Sequence, residues 1–414
     1  QNVANDLFQL IYVFDMGNNH DKALGTAFDY LEYLGTSDMT PEELKSEFYR
    51  LACTFYVSPG NERTYVVLSG LNENMPAAVQ LFEKLLADAQ VNKEAYTNMT
   101  SDILKARSDA KLNQGQNFSR LMSFAMYGPK SPATNLLTEA ELTNMNPQEL
   151  VDRIHNQNSY KHRILYYGPS SSKDLLATIN QYHQVPAALK DIPAGNEYSY
   201  LETPVTKVLV APYDAKQIYM AQISNLDKKY DPAIEPIRAL YDEYFGGGMN
   251  SIVFQEMRET RGLAYSAWAS IMPPSYLKYP YVLRTQIATQ NDKMIDAVTT
   301  FNDIINNMPE SEAAFKLAKD GLTNRLRTER IIKGDIIWSY INAQDLGQNV
   351  DPRIKLYNDI QNMSLKDIVD FQKQWVKGRT YVYCILGDKK DLELDKLKAV
   401  GPIEELTQEQ IFGY

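Results

Sequence analysis

Apolar and polar residues along the first part of the chain follow the pattern of a helix-covered β-sheet. Short runs rich in aromatic and β-branched residues alternate with longer segments in which apolar residues recur every three or four positions. The short runs predict strands at 8–14, 53–58, 63–69 and 163–167. The longer segments predict helices at about 21–34, 40–51, 75–88, 92–112, 115–127, 147–156 and 172–182. Together they predict one domain over residues 1–184.

The same plan returns after residues 185–204, which contain three prolines and no sustained period and therefore predict a linker. Strands are predicted at 207–211, 218–224, 263–270, 279–288 and 380–386, and helices at about 232–245, 291–306, 311–331, 334–348, 365–376 and 392–399. Gly168 and Gly387 end equivalent strands, one domain length apart. The predicted fold is α+β, with two duplicated domains, 1–184 and 205–414, each a mostly antiparallel sheet covered by helices.

The stretch from Tyr244 to Ser270 carries the strongest local signal in the chain. It opens with three consecutive glycines, Gly246, Gly247 and Gly248. Glycine has no Cβ, so this segment is predicted either to turn tightly with positive φ or to let another backbone come close.

A helix and then a strand are predicted directly after these glycines. Asn250 or Ser251 can cap the helix, and Gly262 is placed to end it. Arg258 therefore lies late on the helix, and Tyr265 lies early on a strand of alternating apolar residues. Because seven residues and one turn separate them, we expect the two side chains to converge.

Arg258 and Tyr265 offer chemistry suited to a peptide substrate. A guanidinium is a planar fork of donors for a carbonyl or carboxylate, and a phenol O–H can meet an oxygen as negative charge develops on it. The alternative is structural: Arg258 pairs with Glu256 or Glu259 on its own surface, and Tyr265 is an ordinary strand aromatic. The spacing alone leaves both interpretations open.

Histidine positions exclude the common helical zinc motifs. The four histidines are His20, His155, His162 and His183, and no two of them lie four residues apart. No helix of this chain can therefore present HxxEH or HExxH. We interpret His20 as a loop residue and His155 and His162 as surface or boundary residues. The sequence predicts no metal ligand in this chain.

Composition narrows the possible partners. The 414 residues carry a net charge of −10 without a basic stretch, which argues against nucleic acid as a partner. No apolar run approaches the length of a membrane span. Cys53 and Cys384 lie in different predicted domains, and we interpret both as buried small hydrophobes.

The run GGGMNSIVFQEMRETRGLAYS, residues 246–266, resembles a signature of the pitrilysin/insulinase family of zinc peptidases, the inverzincins. In that family the signature belongs to the second domain of a half-molecule, where an Arg and a Tyr seven residues apart reach the active site. Arg258 and Tyr265 match these two positions. The resemblance implies that both residues are catalytic, that the three glycines contact substrate, and that both domains are of the inverzincin type.

The resemblance also locates what this chain lacks. Family members carry the catalytic HxxEH helix in the first domain of the other half, a few residues before a Gly-Thr pair. Here the corresponding helix reads TAFDYLEY, residues 26–33, before Gly35 and Thr36. Thr, Asp and Tyr stand at the ligand positions, or close neighbours of them if the alignment has a one-residue gap, and none is His. Glu32 alone cannot make a zinc site.

The resemblance therefore implies a non-catalytic half of a zinc metallopeptidase. Such a half is inactive alone, binds peptide, and works with an HxxEH-bearing half or subunit that holds the zinc. The start at Gln1, without a methionine, is typical of a C-terminal half cut from a longer chain. Two alternatives remain open: a proteolytically inactive scaffold subunit, and a peptide-binding module in which a sheet edge accepts an extended peptide.

Overall fold

The structure, a computed structural model, describes Asn2 and residues 4–414. It contains two compact units whose segments are interleaved along the chain. The first unit comprises the chain up to Asp109 together with Pro132–Tyr198 and Ile332–Ile337. The second comprises Ala110–Ser131, Ser199–Ile331 and Trp338–Tyr414. The chain thus passes into the longest segment of the second unit at Ser199, inside the predicted linker.

Strands and helices alternate along the chain in the predicted order. The strands are β1 (Leu7–Phe14), β2 (Cys53–Pro59), β3 (Thr64–Leu71), β4 (His162–Tyr167), β5 (Lys207–Pro212), β6 (Gln217–Lys229), β7 (Ser266–Met272), β8 (Pro280–Gln290), β9 (Val382–Gly387) and β10 (Ile403–Glu405). The helices are α1 (Leu24–Leu31), α2 (Pro41–Arg50), α3 (Met75–Asp88), α4 (Lys93–Lys111), α5 (Gln114–Tyr127), α6 (Glu139–Asn144), α7 (Gln148–Asn156), α8 (Ser172–Tyr182), α9 (Glu235–Phe245), α10 (Ile252–Phe254), α11 (Met294–Asn306), α12 (Glu312–Thr328), α13 (Asp335–Asp345), α14 (Pro352–Ile360), α15 (Leu365–Trp375), α16 (Leu394–Leu397) and α17 (Gln408–Phe412).

Most predicted elements are present, and those that the sequence did not predict are short. Helices α6 and α17 each span two turns or fewer, and strand β10 has three residues, so none of them builds a readable hydrophobic period. Helix α14 was also not predicted; it begins after Asp351, whose side chain caps it, and has Pro352 as its first residue.

The first unit is built on a four-stranded antiparallel sheet with the order β2-β3-β1-β4. Alternate residues of β1, from Phe8 through Leu10 and Tyr12 to Phe14, are buried in one hydrophobic core. Helices α1, α3 and α7 supply the other side of that core. In this strand order, β2 forms one edge of the sheet.

The second unit contains a six-stranded mixed sheet with the order β10-β5-β9-β6-β8-β7. Strands β10, β5 and β9 run parallel, whereas the pairs β9/β6, β6/β8 and β8/β7 are antiparallel. Helices α9, α11, α12 and α15 cover one face, and α5 and α17 cover part of the other. The predicted α+β class, with helix-covered and largely antiparallel sheets, is thereby confirmed. Among the described residues, no helix combines the length and the apolar character needed to cross a bilayer.

Candidate functional site

Arg258 and Tyr265 are brought together in the second unit. The Cζ atom of Arg258 lies 5.6 Å from the centre of the Tyr265 ring and 5.0 Å from the centre of the Phe254 ring. Both distances are within the range of cation–π attraction, so the two rings restrict the guanidinium. The convergence expected from the spacing is therefore observed, while the catalytic role of the pair stays a prediction.

The backbone before Arg258 is an α-helical turn that widens into a π-helical turn. Ser251 caps it by accepting a hydrogen bond from the Phe254 N–H, and the π-helical turn spans Gln255–Thr260. A helix was predicted here, but its π geometry was not. Gly262 follows with a φ of +56°, which is the left-handed conformation expected where a helix ends. Such π-helical turns occur most often at functional sites.

Tyr265 lies one residue before β7 and is 72% exposed. Its backbone N–H donates to the Ala288 carbonyl of β8 at 2.9 Å, which fixes the backbone at this point. The phenol oxygen has no hydrogen-bond partner within the described part of the chain. The strand was predicted to begin at Leu263, so it starts three residues later than expected. The backbone of Tyr265 is thus fixed, while its hydroxyl is available to donate a hydrogen bond.

The structural alternative for Arg258 is only weakly supported by its ion pairs. Arg258 Nε lies 3.6 Å from Glu259 Oε1, and both side chains are about half exposed. Glu256 instead pairs with Arg261 at 3.2 Å. An exposed pair at that distance contributes little and leaves most guanidinium donors available.

The three glycines differ sharply in their surroundings. A Cβ at Gly246 would lie 2.2 Å from the Ala269 carbonyl oxygen, and one at Gly247 would lie 2.8 Å from the Asp242 carbonyl oxygen. A Cβ at Gly248 would meet nothing within 4 Å. None of the three adopts positive φ, so that part of the expectation is wrong. The close approach of another backbone is confirmed at Gly246.

The outer edge of β7 is closed beside these glycines. The Ile271 N–H donates to Asp242 Oδ1 at 2.9 Å, and Arg238 Nη1 donates to the Ile271 carbonyl at 3.0 Å. Arg238 in turn pairs with Asp242 at 2.7 Å and with Glu235 at 2.9 Å. Burial raises the pKa of Asp242 to about 6, against the opposing charge of Arg238. Side chains of α9 therefore occupy backbone groups to which an added strand would bind.

The helix that corresponds to the family's zinc helix holds no ligand set. Glu32, which follows α1, is exposed, and it lines a cavity of about 400 Å³ together with Phe48, Phe55 and other residues of α2 and β2. Over Asn2 and residues 4–414, no group of three or more His, Cys, Asp and Glu side chains could hold a metal ion. Thr, Asp and Tyr at the expected ligand positions include no histidine, and a single carboxylate does not make a zinc site.

Two histidines meet in the first unit, and sequence reasoning missed this pair. His162 of β4 and His183, just after α8, approach within 2.9 Å through their Nε2 atoms. His183 Nδ1 lies 2.7 Å from Glu83 Oε1, and Tyr12 donates to the same oxygen at 2.8 Å. Glu83 also accepts from Asn158 at 2.9 Å. His162 is half-buried at the first residue of β4, which agrees with its interpretation as a boundary residue. Its contact with His183 was not predicted, because tertiary packing joins residues far apart in sequence.

Burial affects the protonation of this cluster. Desolvation lowers the pKa of His162, against the opposing effect of its bond to the Tyr160 carbonyl. A carbonyl only accepts, so Nδ1 of His162 carries a hydrogen and its Nε2 faces His183 as an acceptor when the ring is neutral. Burial and the neighbouring Glu83 raise the pKa of Tyr12, which stays a neutral donor. The arrangement is a buried hydrogen-bonded cluster of the first unit's core.

Comparison with known proteins agrees with the resemblance seen in the sequence. Residues 164–322 match the family described as the peptidase M16 inactive domain. An uncharacterized zinc protease of Rickettsia felis is 20% identical over 263 residues, which cover 60% of this chain and 60% of that protein. The non-peptidase homolog YmxG of Helicobacter pylori is 24% identical over 396 residues, covering 90% of this chain and 87% of that one.

Solved structures show the same fold at low sequence identity. The peptidase M16 inactive domain from Pseudomonas fluorescens matches with a TM-score of 0.72 and 15% identity, covering 93% of this chain and 94% of that one. The periplasmic protease PqqL from Escherichia coli matches with a TM-score of 0.73 and 14% identity, covering 93% of this chain but 43% of PqqL. The chain therefore has the fold of the inactive domain of the pitrilysin-like M16 peptidases. It carries no HxxEH motif of its own.

Proposed function

We propose that this chain is the non-catalytic half of a zinc metallopeptidase. It binds peptide substrate and contributes Arg258 and Tyr265 to an active site whose zinc is held by an HxxEH-bearing half. The observation that carries the proposal is the guanidinium of Arg258, held between two aromatic rings and next to an unengaged phenol. Since no group of metal ligands occurs among the described residues, such a pair has no metal nearby on which to act.

Each residue has a defined task in this proposal. The phenol of Tyr265 donates a hydrogen bond to the substrate oxygen on which negative charge develops, and this stabilises the transition state more than the ground state. Arg258 donates to a backbone carbonyl or carboxylate of the peptide and so positions it. Gly247 and Gly248, which are exposed, offer peptide backbone without a side chain in the way.

The comparisons support this assignment by analogy. This chain corresponds to less than half of PqqL, whose name describes a protease, which is what a half-molecule should resemble. The name of the Helicobacter relative, a non-peptidase homolog, favours instead the inactive scaffold. The retained Arg258 and Tyr265 favour the peptidase half, because a scaffold has no need of the pair.

The decisive experiment combines this chain with an HxxEH-bearing half from the same organism and measures cleavage of a quenched fluorescent peptide library. We expect activity only in the mixture. A complex that assembles with zinc bound on the partner, yet cleaves nothing across the library, would overturn the proposal in favour of the scaffold. Chelator-treated partner is the control for contaminating proteases.

A second candidate function is peptide binding without chemistry, and strand β2 favours it. Within the described residues, β2 pairs only with β3, so its other edge has no strand partner. Thr54, Tyr56 and Ser58 are exposed along it, and the 400 Å³ cavity opens at its start. An extended peptide could add to this edge through its backbone. Saturable binding of extended peptides by the isolated chain, abolished by a proline in place of Tyr56, is the expected result.

A further inference from the structure

Arg284 lies on the face of the second sheet opposite the main helical layer. In the pairing of β7 with β8, Ser270 lies opposite Arg284 and Trp268 lies opposite Gln286. Side chains alternate between the two faces of a sheet, so Trp268, Arg284 and Gln286 share one face. The intervening residues Ala267 and Ala269 are buried in the core on the other face.

The guanidinium of Arg284 is held firmly but has no anionic partner. Its Cζ atom lies 5.2 Å from the centre of the Trp268 ring, and Nη2 donates to Gln286 Oε1 at 3.1 Å. Its Nε is buried and has no hydrogen-bond partner. Among the described residues, no carboxylate lies within ion-pairing distance of Arg284. The side chain is thus oriented while part of its donor capacity is unused.

Arg238, another partly buried arginine of the same unit, differs from Arg284 in its ion pairs. Arg238 is paired with both Glu235 and Asp242 and also donates to a backbone carbonyl. A partly buried cation without a counter-charge carries a desolvation cost, which one ring contact and one neutral hydrogen bond offset only in part. For Arg284 this cost appears as a pKa lowered by burial. The contrast marks Arg284 as a group whose partner is not part of this chain's described residues.

Carboxylate is the chemistry that such a group recognises best. A guanidinium presents paired N–H groups in a plane, and a carboxylate accepts them in a bidentate pair. Stacking on Trp268 fixes that plane in advance, which reduces the entropy lost on binding. Gln286 accepts from one terminal nitrogen and leaves other N–H groups free.

We propose that Trp268, Arg284 and Gln286 form a subsite for the acidic side chain of an extended peptide. This inference rests on the proposed function for its ligand, since it assumes that peptide is what the chain binds.

The subsite is tested on the isolated chain, so the result does not depend on peptidase activity. The probes are N-acetyl-glutamate methylamide and its glutamine counterpart, followed by quenching of tryptophan fluorescence. We expect the glutamate probe to bind at least tenfold more tightly than the glutamine probe. Trp268→Phe should remove the fluorescence change, which would assign that change to Trp268 and not to either of the other two tryptophans. Equal binding of the two probes, or no binding of either, overturns the subsite.

Variants then assign the preference to Arg284. Arg284→Gln should reduce the glutamate preference to about one, and Arg284→Lys should restore only part of it, because lysine lacks the planar fork. Arg327→Gln on the exposed surface of α12 removes the same charge and should leave the preference intact. If Arg327→Gln lowers the preference as much as Arg284→Gln, general charge explains the effect and the subsite is wrong.

A last comparison uses extended peptides with one Glu or Gln, each with a free or an amidated C-terminus. A preference that follows the internal Glu and survives amidation supports the side-chain assignment, whereas one that disappears on amidation overturns it. If the small glutamate probe binds while no peptide does, the subsite stands and the proposed peptide-binding function fails. If peptides bind without a Glu preference, the peptide-binding function stands and the subsite fails.

Discussion

The guanidinium carbon of Arg258 lies 5.6 Å from the centre of the Tyr265 ring, although Arg258 is part of a π-helical turn and Tyr265 directly precedes β7. The π-helical turn that carries Arg258 and the strand that begins after Tyr265 are joined by Gly262, whose positive φ reverses the chain. This short connection makes the relative position of the two side chains a local property of the second unit. Substitutions of either residue should therefore affect chemistry without affecting the fold.

Tyr265→Phe keeps the ring and removes only the O–H. In the assembled peptidase we expect kcat to fall about 10²-fold, the typical loss for one oxyanion donor. The thermal midpoint should stay constant, because the side chain is largely exposed and its hydroxyl has no partner in the described residues. Steady-state kinetics and a melting curve measure the two effects. An unchanged kcat would leave Tyr265 as a surface aromatic with no part in the reaction.

Arg258→Ala should lower kcat/KM about tenfold or more, since a charged hydrogen bond contributes about 1.5 to 3 kcal/mol. Arg258→Lys should rescue poorly, because a point charge replaces the fork. Arg261→Ala is the matched control, since Arg261 lies three residues away and pairs with Glu256. Neither change should affect assembly with the partner half, which size-exclusion chromatography measures. Equal losses for both variants would argue that only surface charge matters.

The purified chain should hold no zinc after treatment with a chelator. Its sequence has no His pair at ligand spacing, and Thr, Asp and Tyr occupy the positions of the family's zinc ligands. Metal analysis by mass spectrometry gives the stoichiometry directly. One tightly bound zinc per chain would contradict the interpretation of α1 as a degenerate zinc helix.

Gly246→Ala should destabilise the second unit by about 1 to 3 kcal/mol, because the new methyl would meet the Ala269 backbone. Gly248→Ala is the control within the same run of glycines: its Cβ has open space, so we expect a change of less than about 0.5 kcal/mol. Urea unfolding of both variants at pH 7 measures the difference. Equal stabilities would mean that α9 and β7 can move apart at no cost.

His162 should make the protein less stable in mild acid. Its pKa is lowered by burial, so the unfolded chain binds a proton near the ordinary histidine value of about 6.5 while the folded chain does not. Stability is therefore lost as the pH falls from that value toward the lowered pKa. The groups that face His162 are His183 and, beyond it, Glu83 and Tyr12.

Comparing the free energy of unfolding at pH 7.5 and pH 5.5 tests this expectation. The decrease should be smaller in His162→Gln than in the wild type. His155→Gln removes an imidazole from elsewhere in the same unit and should retain the wild-type decrease. If both substitutions leave the same pH dependence, the proton is taken up at another group.

Local signals predicted the environment of the site well. Ser251 caps the helix, Gly262 ends it, and the alternation of β7 follows, because each depends on interactions within a few residues. The π-helical turn was not predicted, since it shares its hydrophobic positions with an ordinary helix. The late start of β7 at Ser266 has a similar cause: strand bounds depend on pairing with β8, which a single strand's pattern does not contain.

Contacts between residues far apart in the chain could not be predicted from the sequence. His162 and His183 meet because β4 and the end of α8 come together in the fold, and no short motif records that pairing. Asp242 looked like one more helix carboxylate, yet it binds the Ile271 N–H across the end of the sheet. The sequence pattern of β8 likewise gives no sign that Arg284 contacts Trp268 and Gln286.

The closed edge of β7 also bears on the risk of aggregation. An open edge strand is a template for pairing with other chains and so for aggregation. At Ile271 the side chains of Asp242 and Arg238 already occupy the exposed N–H and C=O groups. Near Ala269 the backbone of Gly246 lies so close that no methyl group would fit. The side chains and backbone of α9 therefore block pairing with another chain along this part of β7.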